Sequence, residues 1–305
     1  MATTEKKKER YIGSVRFYKN LILLPVFLMI LIPTVLCFVF SGQLRDSRAE
    51  NEQLYGQLEL TTERLNRYEG STSGGGVAYQ SLYPDLYAPQ PLGATQVEQK
   101  TIYLTFDDGT SARTDEVLDI LKEQGVKATF FVTGKTGEAD VARLKRIVAE
   151  GHTVGMHTYT HNYRQIYASV EAFLEDMNNI FTFVREKTGV TPTVFRFPGG
   201  SINGYNQGIY QQLLSEMLRR GFVPHDWNIS SQDAAGYSIS ADRMVQIVLG
   251  DAEEVDRGIV LMHDAADKRT TVAALPRMIA GLKEMGFSFA ALTPQTKPVL
   301  FGYVE

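Results

Sequence analysis

Short strand-like runs alternate with longer helix-like runs along residues 101–290, and this alternation constrains the fold more than any other feature of the sequence. The strand-like runs, rich in β-branched and aromatic residues, lie at 101–106, 127–132, 153–156, 193–197, 222–227, 258–262 and 287–290. The helix-like runs lie at 114–123, 141–150, 169–187, 211–220, 241–249 and 272–284. Strict alternation of this kind builds a parallel sheet covered by helices. We therefore predict an α/β fold, a distorted (β/α)7-type barrel with parallel strands, with a doubly wound open sheet as the alternative.

A different pattern stands at the start of the chain. Residues 21–40 contain no charged residue, and a helix of that length, at about 1.5 Å per residue, covers roughly the 30 Å hydrocarbon core of a membrane. We predict a transmembrane helix at 21–42, with the basic tail 1–20 in the cytoplasm and the rest of the chain outside it, in the cell membrane as a single-pass protein. A cleaved signal peptide is the alternative, but the run exceeds a usual signal core and no small-x-small site follows it.

Two segments separate this span from the predicted domain. Residues 43–69 are charged and helix-favouring, with Leu44, Leu58 and Leu65 at heptad spacing. They predict a helical stalk or a short coiled coil, and through it a weak homodimer. Residues 70–80 have the Gly/Ser composition of a flexible linker. The catalytic domain is then expected at 81–305.

Charge and cysteine content exclude several classes of protein. A formal net charge of −4 gives no electrostatic reason to expect binding to the phosphate backbone, so no nucleic-acid partner is expected. The single cysteine, Cys37, lies in the apolar run. The outer part of the chain therefore has neither an intramolecular disulfide nor a zinc–thiolate cluster.

Polar side chains with catalytic chemistry follow the predicted strands. Parallel α/β folds build their sites at the carboxyl ends of strands, so these side chains are expected to meet there. They are Asp107, Asp108, His157, His161, Arg196 and His263. The two remaining histidines, His152 and His225, have no such neighbours and are assigned structural roles.

The chemistry of this set fits metal-assisted hydrolysis. His157 and His161, at i and i+4, suit two nitrogen ligands of one divalent metal, and an aspartate of the 107–108 pair completes a site with open positions. The other carboxylate is then free to act as general base, and His263 can protonate a leaving amine. Arg196 is expected beside Asp107, where its charge would favour the ionised carboxylate. Zinc is the default ion for these ligands, although other first-row divalent ions also suit them.

Across residues 100–292 the chain resembles the polysaccharide deacetylase family, the NodB-like carbohydrate esterases. The resemblance is carried by Thr-Phe-Asp-Asp-Gly at 105–109, His-Thr-x-x-His at 157–161, Arg-x-Pro at 196–198, an Asp after a Trp, and Leu-x-His-Asp at 261–264. It implies a general base at Asp107, metal ligands at Asp108, His157 and His161, and a general acid at His263. It further implies that Arg196 orients Asp107, that Asp233 tunes His263, and that Leu261 lines the pocket for the acetyl methyl group.

Two positions depart from the family pattern. Gly199 follows Pro198 where the family often has tyrosine, and a backbone N–H at Gly199 can still help to hold an oxyanion. Ala234 follows Asp233 where the family usually has tryptophan, so one apolar wall of the pocket is absent, and Trp227 is a candidate to replace it.

The sequence thus predicts a metal-dependent hydrolase that removes N-acetyl groups from a cell-wall polysaccharide, with peptidoglycan amino sugars as the expected substrate and acetate as a product. The alternatives are a deacetylase of another extracellular polysaccharide and a wall-glycan-binding protein with weak catalysis. A non-haem iron oxygenase would also use two histidines and a carboxylate, but it leaves Asp107 and His263 without a role.

Overall fold

The computed structural model describes residues 77–88, 100–235 and 239–302. Eight parallel strands form a single sheet in the described part of the chain. They are β1 (Thr101–Asp107), β2 (Thr129–Thr133), β3 (Thr153–Thr158), β4 (Val194–Phe195), β5 (Val223–Pro224), β6 (Ile229–Ser230), β7 (Arg257–His263) and β8 (Ser288–Phe289). The prediction of a parallel α/β fold is confirmed.

The helices cover one side of this sheet. They are α1 (Ala112–Gln124), α2 (Glu138–Ala149), α3 (Tyr163–Ile166), α4 (Val170–Thr188), α5 (Tyr210–Arg219), α6 (Ala241–Glu253) and α7 (Arg269–Glu284). Local sequence sets several of their ends: Ser111 and Ser169 accept hydrogen bonds from the first turns of α1 and α4, and Gly125 and Gly189 end these helices in the left-handed conformation.

The strand order is β5-β4-β3-β2-β1-β7-β6, and β8 pairs with the start of β1. Because β5 and β6 stand at opposite ends of this order, the sheet is a curled half-barrel and not a closed barrel. The predicted distorted (β/α)7-type barrel is thus confirmed as a curled parallel α/β sheet, but only half of a barrel is formed, and the described residues contain an eighth strand, β6, that was not predicted.

Alternation along β1 decides what faces the inside of the curl. Ile102, Leu104 and Phe106 pack into the large core beneath the helices, whereas Tyr103 belongs to a smaller apolar cluster inside the curl. Successive strand residues point to opposite faces. Asp107, four residues after Tyr103, consequently ends the strand on the inner face.

The first described residues are held by a buried arginine. Val77 precedes a 3-10 helix, Ala78–Ser81, within the range predicted as linker and domain start. The fully buried Arg220 donates hydrogen bonds to the carbonyl oxygens of Tyr79, Leu82, Tyr83 and Leu86. We call this arrangement the N-terminal clasp. Since Arg220 directly follows α5 and precedes β5, the clasp lies at the amino edge of the sheet.

The predicted tail, transmembrane helix and stalk, at 1–20, 21–42 and 43–69, lie outside the described residues. Within the described ranges, no helix combines the length and apolarity needed to cross a membrane.

Candidate active site

The register of the central strands brings two predicted catalytic residues together. β1 and β7 pair in parallel along their full length, with Asp107 opposite His263 at the carboxyl end. His157 is the fifth residue of β3 and ends at the same edge. The sheet therefore gathers side chains from three strands that are distant in sequence.

Asp108, His157 and His161 form the candidate metal centre. The Asp108 Oδ1 atom lies 3.1 Å from His161 Nε2 and 3.6 Å from His157 Nε2. All three donor atoms lie within 4.8 Å of one another. The predicted ligand set is thus brought to one point.

The state of these three side chains suits a divalent cation. His157 Nδ1 lies 2.9 Å from the Arg196 carbonyl oxygen, to which it donates, so Nε2 keeps its lone pair toward the centre. Burial, together with the neighbouring His157, lowers the pKa of His161 and favours the neutral ring that a ligand requires. Burial acts to raise the pKa of Asp108, but the two histidines outweigh it and the pKa is lowered. Asp108 Oδ1 is buried and has no hydrogen-bond partner among the described residues, as expected of an atom that awaits a cation.

Backbone conformation lets neighbouring residues converge on this centre. Asp107 and Asp108 would point to opposite faces of a regular strand, but Asp108 adopts φ 70° and turns its side chain toward the histidines. His161 is also left-handed, at φ 55°. The buried carboxylate of Asp176, on α4, holds this turn by accepting hydrogen bonds from the backbone N–H groups of Tyr159 and Thr160, at 2.6 and 3.0 Å.

Asp107 is fixed by a completely buried arginine. Arg196 donates to Asp107 Oδ1 at 2.9 Å and to Thr105 Oγ1 at 2.7 Å. The other nitrogens of its guanidinium bond to the carbonyl oxygens of His225 and Asp226, at 2.7 and 3.0 Å. These hydrogen bonds hold the Arg196 guanidinium in place, and Asp107 Oδ2 is left facing the centre, 4.0 Å from His157 Nε2.

His263 is paired with Asp233 on the other side of the centre. Its Nδ1 atom lies 2.7 Å from Asp233 Oδ1, and its backbone N–H donates to Asp233 Oδ2, also at 2.7 Å. Thr271 donates to the same Oδ2 atom at 2.8 Å. Burial acts to lower the pKa of His263, but Asp233 outweighs it and raises the pKa to about 9. The ring is consequently protonated at neutral pH, with Nε2 free to deliver a proton.

Asp264 packs next to the turn that carries Asp107 and Asp108, and no role in the site was predicted for it. It is buried, accepts a hydrogen bond from Thr114, and its backbone N–H donates to the Asp107 carbonyl oxygen at 3.1 Å. A Cβ atom at Gly109 would overlap the Asp264 carboxylate. Glycine at 109 thus lets this carboxylate pack directly beneath the turn that carries Asp107 and Asp108.

The predicted pocket residues have different surroundings. Leu261 is 9% exposed and lies on β7 two residues before His263, hence on the same inner face. Trp227 packs edge-to-face on Phe301, with ring centroids 4.7 Å apart, and lies 5.7 Å from the Arg196 guanidinium. Ala234 is exposed, next to Asp233, and presents only a methyl group there.

Gly199 borders a tyrosine that sequence reasoning did not single out. Gly199 has φ 77°, and a Cβ atom there would lie 3.0 Å from Cε1 of Tyr163. Burial and then the charges of Asp108 and Asp107 raise the pKa of Tyr163 to about 12, so its hydroxyl group stays neutral. Its short spacing from His161 was the available sequence signal, but a tyrosine two residues after a histidine is too common to point to a site.

Among the described residues, the rings of the two remaining histidines make no hydrogen bond to the residues of this centre. His152 Nδ1 accepts a hydrogen bond from the Ala128 backbone at 3.1 Å. His225 is fully buried, and neither ring nitrogen has a hydrogen-bond partner in the described ranges. Burial lowers the pKa to about 4 for His152 and to about 3 for His225, so both are neutral.

Comparison with known proteins gives a consistent match. The sequence pattern of the polysaccharide deacetylase family matches residues 94–217. A peptidoglycan-N-acetylglucosamine deacetylase of Bacillus cereus is 37% identical over 198 residues, covering 64% of this chain and 70% of that protein. A putative polysaccharide deacetylase of Bacillus subtilis, YheN, is 34% identical over 222 residues, covering 71% and 75%. Among solved structures, the catalytic domain of peptidoglycan N-acetylglucosamine deacetylase from Eubacterium rectale superposes with a TM-score of 0.65 at 36% identity, covering 68% of this chain and 96% of that domain.

Proposed function

Because this chain belongs to the polysaccharide deacetylase family, we propose that it removes N-acetyl groups from the amino sugars of peptidoglycan and releases acetate. As a member it is a hydrolase that acts on carbon–nitrogen bonds of N-acetyl groups. One observation carries the proposal: the free Oδ2 atom of Asp107 lies 4.0 Å from the metal-ligand candidate His157, and Asp107 is paired in register with His263. A base, a metal centre and an acid thus surround one small space.

The metal centre is best assigned to Asp108, His157 and His161, with zinc as the default ion. The bare His157 Nε2 atom and the unpartnered Asp108 Oδ1 atom fit a cation held by one carboxylate and two imidazoles. When bound, such an ion supplies Lewis acidity that polarises an acetamide carbonyl and acidifies a water molecule.

The side chains around the centre divide the proton transfers between them. Asp107 accepts the proton of the attacking water at Oδ2, since Arg196 occupies Oδ1. As the C–N bond breaks, His263 gives its Nε2 proton to the departing amine, and Asp233 stabilises the charged ring beforehand. The products are acetate and a free amino sugar. A new positive charge on the wall polymer follows.

The domain organisation proposed with this function rests on the sequence of the first eighty residues. The uncharged run at 21–40 behind a basic tail supports an anchor at 21–42, a stalk at 43–69 and a linker at 70–80. The catalytic domain at 81–305 would then act outside the cytoplasm, next to the wall polymer.

The test of the proposed reaction is acetate release from purified peptidoglycan by the full-length chain loaded with zinc. Asp107→Asn keeps the shape of the side chain but removes the base, and we expect kcat to fall by about 10²–10⁴-fold. Asp242→Asn is the matched control, because that carboxylate is 77% exposed and lies on α6. Full activity of Asp107→Asn would refute the assigned base. Glycan binding without acetate release would indicate a binding protein, and release from another polymer alone would change the substrate.

The metal assignment has a readout of its own. Asp108→Asn should lower the zinc content of the purified chain, measured by elemental analysis after dialysis, because it removes the only anionic ligand. Asp242→Asn should retain the wild-type zinc content. Equal zinc content in Asp108→Asn and wild type would place the metal elsewhere.

A further inference from the structure

Two tyrosines extend outward from the candidate metal centre. The Tyr163 ring packs edge-to-face against His161, with centroids 5.3 Å apart, and Tyr205 packs in the same way on Tyr163 at 5.2 Å. Tyr205 is 56% exposed, although its ring is large and mostly apolar. We call these two residues the tyrosine pair. The Tyr205 ring stands one aromatic ring beyond a metal-ligand candidate.

The tyrosine pair is held in place from behind. Tyr167 packs edge-to-face on Tyr163 at 6.0 Å and donates a hydrogen bond to the Pro198 carbonyl oxygen at 2.8 Å. Asn203 accepts from the Tyr205 backbone at 2.9 Å and itself donates to the Pro198 oxygen at 3.0 Å. Both rings are therefore tied to the Arg-x-Pro segment of the catalytic centre and not to a separate part of the surface.

Gly199 shows that Tyr163 belongs to the wall of the site. A Cβ atom at position 199 would lie 3.0 Å from Tyr163 Cε1 and 3.3 Å from its hydroxyl oxygen. The Tyr163 ring thus fills the space that a side chain at 199 would enter, and the backbone at φ 77° disfavours any such side chain. The aromatic surface beside the centre is supplied from α3 and from the loop before α5.

We propose that Tyr205, backed by Tyr163, is the stacking platform for the pyranose ring next to the acetamido sugar that reacts. The proposal rests on the proposed function, since the reacting sugar defines the centre from which the neighbouring subsite is counted. A pyranose ring has an apolar C–H face, and an exposed, pre-oriented aromatic ring buries it at little cost in side-chain entropy.

The test compares ligands that do and do not reach the subsite. Binding of the N-acetylglucosamine tetramer and of the monomer is measured by calorimetry on the zinc-loaded full-length Asp107→Asn chain, with and without a change at Tyr205. Tyr205→Leu should weaken tetramer binding about tenfold and leave monomer binding unchanged, because only the tetramer occupies the platform. Tyr205→Phe keeps the ring and should bind the tetramer within about twofold of the parent.

Kinetics supply the second readout on chains with Asp107 intact. Tyr205→Leu should raise KM for the tetramer about tenfold with kcat unchanged, and hydrolysis of 4-nitrophenyl acetate, which carries no sugar, should stay at the wild-type rate. Equal tetramer affinity for Tyr205→Leu and Tyr205→Phe would overturn the platform, whatever the activity. A tetramer affinity that depends on the ring in a chain that releases no acetate would uphold the platform and overturn the proposed function.

Discussion

Asp233 is the main carboxylate that keeps His263 protonated. Asp233 contacts both the ring and the backbone N–H of His263, so position and charge come from the same partner. Burial favours the neutral ring, but Asp233 first, and then the charges of Asp107 and Asp108, raise the pKa of His263 to about 9. Thr271 and Lys268, both downstream in sequence, hold Asp233 in turn.

This pairing predicts the pH dependence of the reaction. The acid form of His263 is present below its pKa of about 9 and is lost above it. Asp233→Asn removes the largest of the causes that raise the pKa of His263 and leaves burial and the weaker charges of Asp107 and Asp108, so the pKa should fall. The alkaline limb of the kcat/KM profile should therefore move from near pH 9 to lower pH. The kcat/KM profiles of the zinc-loaded wild type and Asp233→Asn measure this shift, with Asp242→Asn as control. An alkaline limb at the same pH in Asp233→Asn and wild type would show that Asp233 does not set the pKa of the general acid.

Individual side chains divide into those that the sequence could identify and those that it could not. Asp107, His157 and His263 were predicted because each follows an apolar strand, and the sheet places strand ends together. Asp176 and Asp264 also hold the site but lie on a helix and beyond a strand end, respectively, and their partners are backbone groups or hydroxyls distant in sequence. Asp264 belongs to the Leu-x-His-Asp motif at 261–264, but its packing beneath Gly109 could not be predicted, and nothing in the local sequence distinguishes Asp176 from an ordinary polar helix residue.

At the scale of elements, the long regular segments were predictable and the shortest ones were not. The full-length pairing of β1 with β7 follows two clear apolar runs. The runs at 193–197 and 222–227 were predicted as strands of five and six residues, but β4 and β5 have two each. Of the residues beyond these short strands, Phe197 and Phe222 belong to the large core, whereas Trp227 lies next to the Arg196 guanidinium. β6 was missed because two residues are too few to show alternation.

The N-terminal clasp predicts a strong contrast between adjacent arginines. Both arginines pair with the buried Glu216, but the Arg220 side chain is fully buried, whereas that of Arg219 is 37% exposed. Arg220→Met should lower the free energy of unfolding by about 3–5 kcal/mol, because it leaves a carboxylate and several carbonyl groups without their donor. Arg219→Met should cost about 1 kcal/mol or less. Urea unfolding at pH 7 measures both, and equal losses would show that the clasp contributes no more than a surface pair.

For the whole molecule, two buried neutral histidines set a limit on acid stability. Burial depresses the pKa of His225 to about 3 and that of His152 to about 4. In the unfolded chain these histidines have pKa values of about 6.5. Below that pH the unfolded chain therefore binds protons that the folded chain does not bind. The contribution of these two histidines to the free energy of unfolding is fully present above about pH 6.5. It falls as the pH drops toward their pKa values in the folded chain.

The effect of His225 can be isolated, because the pH-dependent contributions of all other groups are the same in wild type and in a His225 variant and cancel in the difference. Because His225 stays unprotonated in the folded chain, it should lower the free energy of unfolding at pH 5 by about 2 kcal/mol relative to neutral pH. His225→Gln is neutral at every pH, so its loss of unfolding free energy between pH 7 and pH 5 should be smaller than that of wild type by this amount. His225→Phe repeats the test without a polar group. The same loss in wild type and in both variants would mean that His225 is protonated in the folded chain.

Arg220 and its carbonyl partners also form the connection through which a pulling force on the N-terminal segment would reach the folded domain. The described unit begins at Val77, and the clasp ties the residues that follow to the end of α5, at the amino edge of the sheet. Tension applied to the chain ahead of Val77 is therefore taken up by these hydrogen bonds and passed into a helix. Asp107, His157 and His263 stand at the opposite edge. In the anchored chain proposed above, we expect the clasp to carry such load before it reaches the reacting groups.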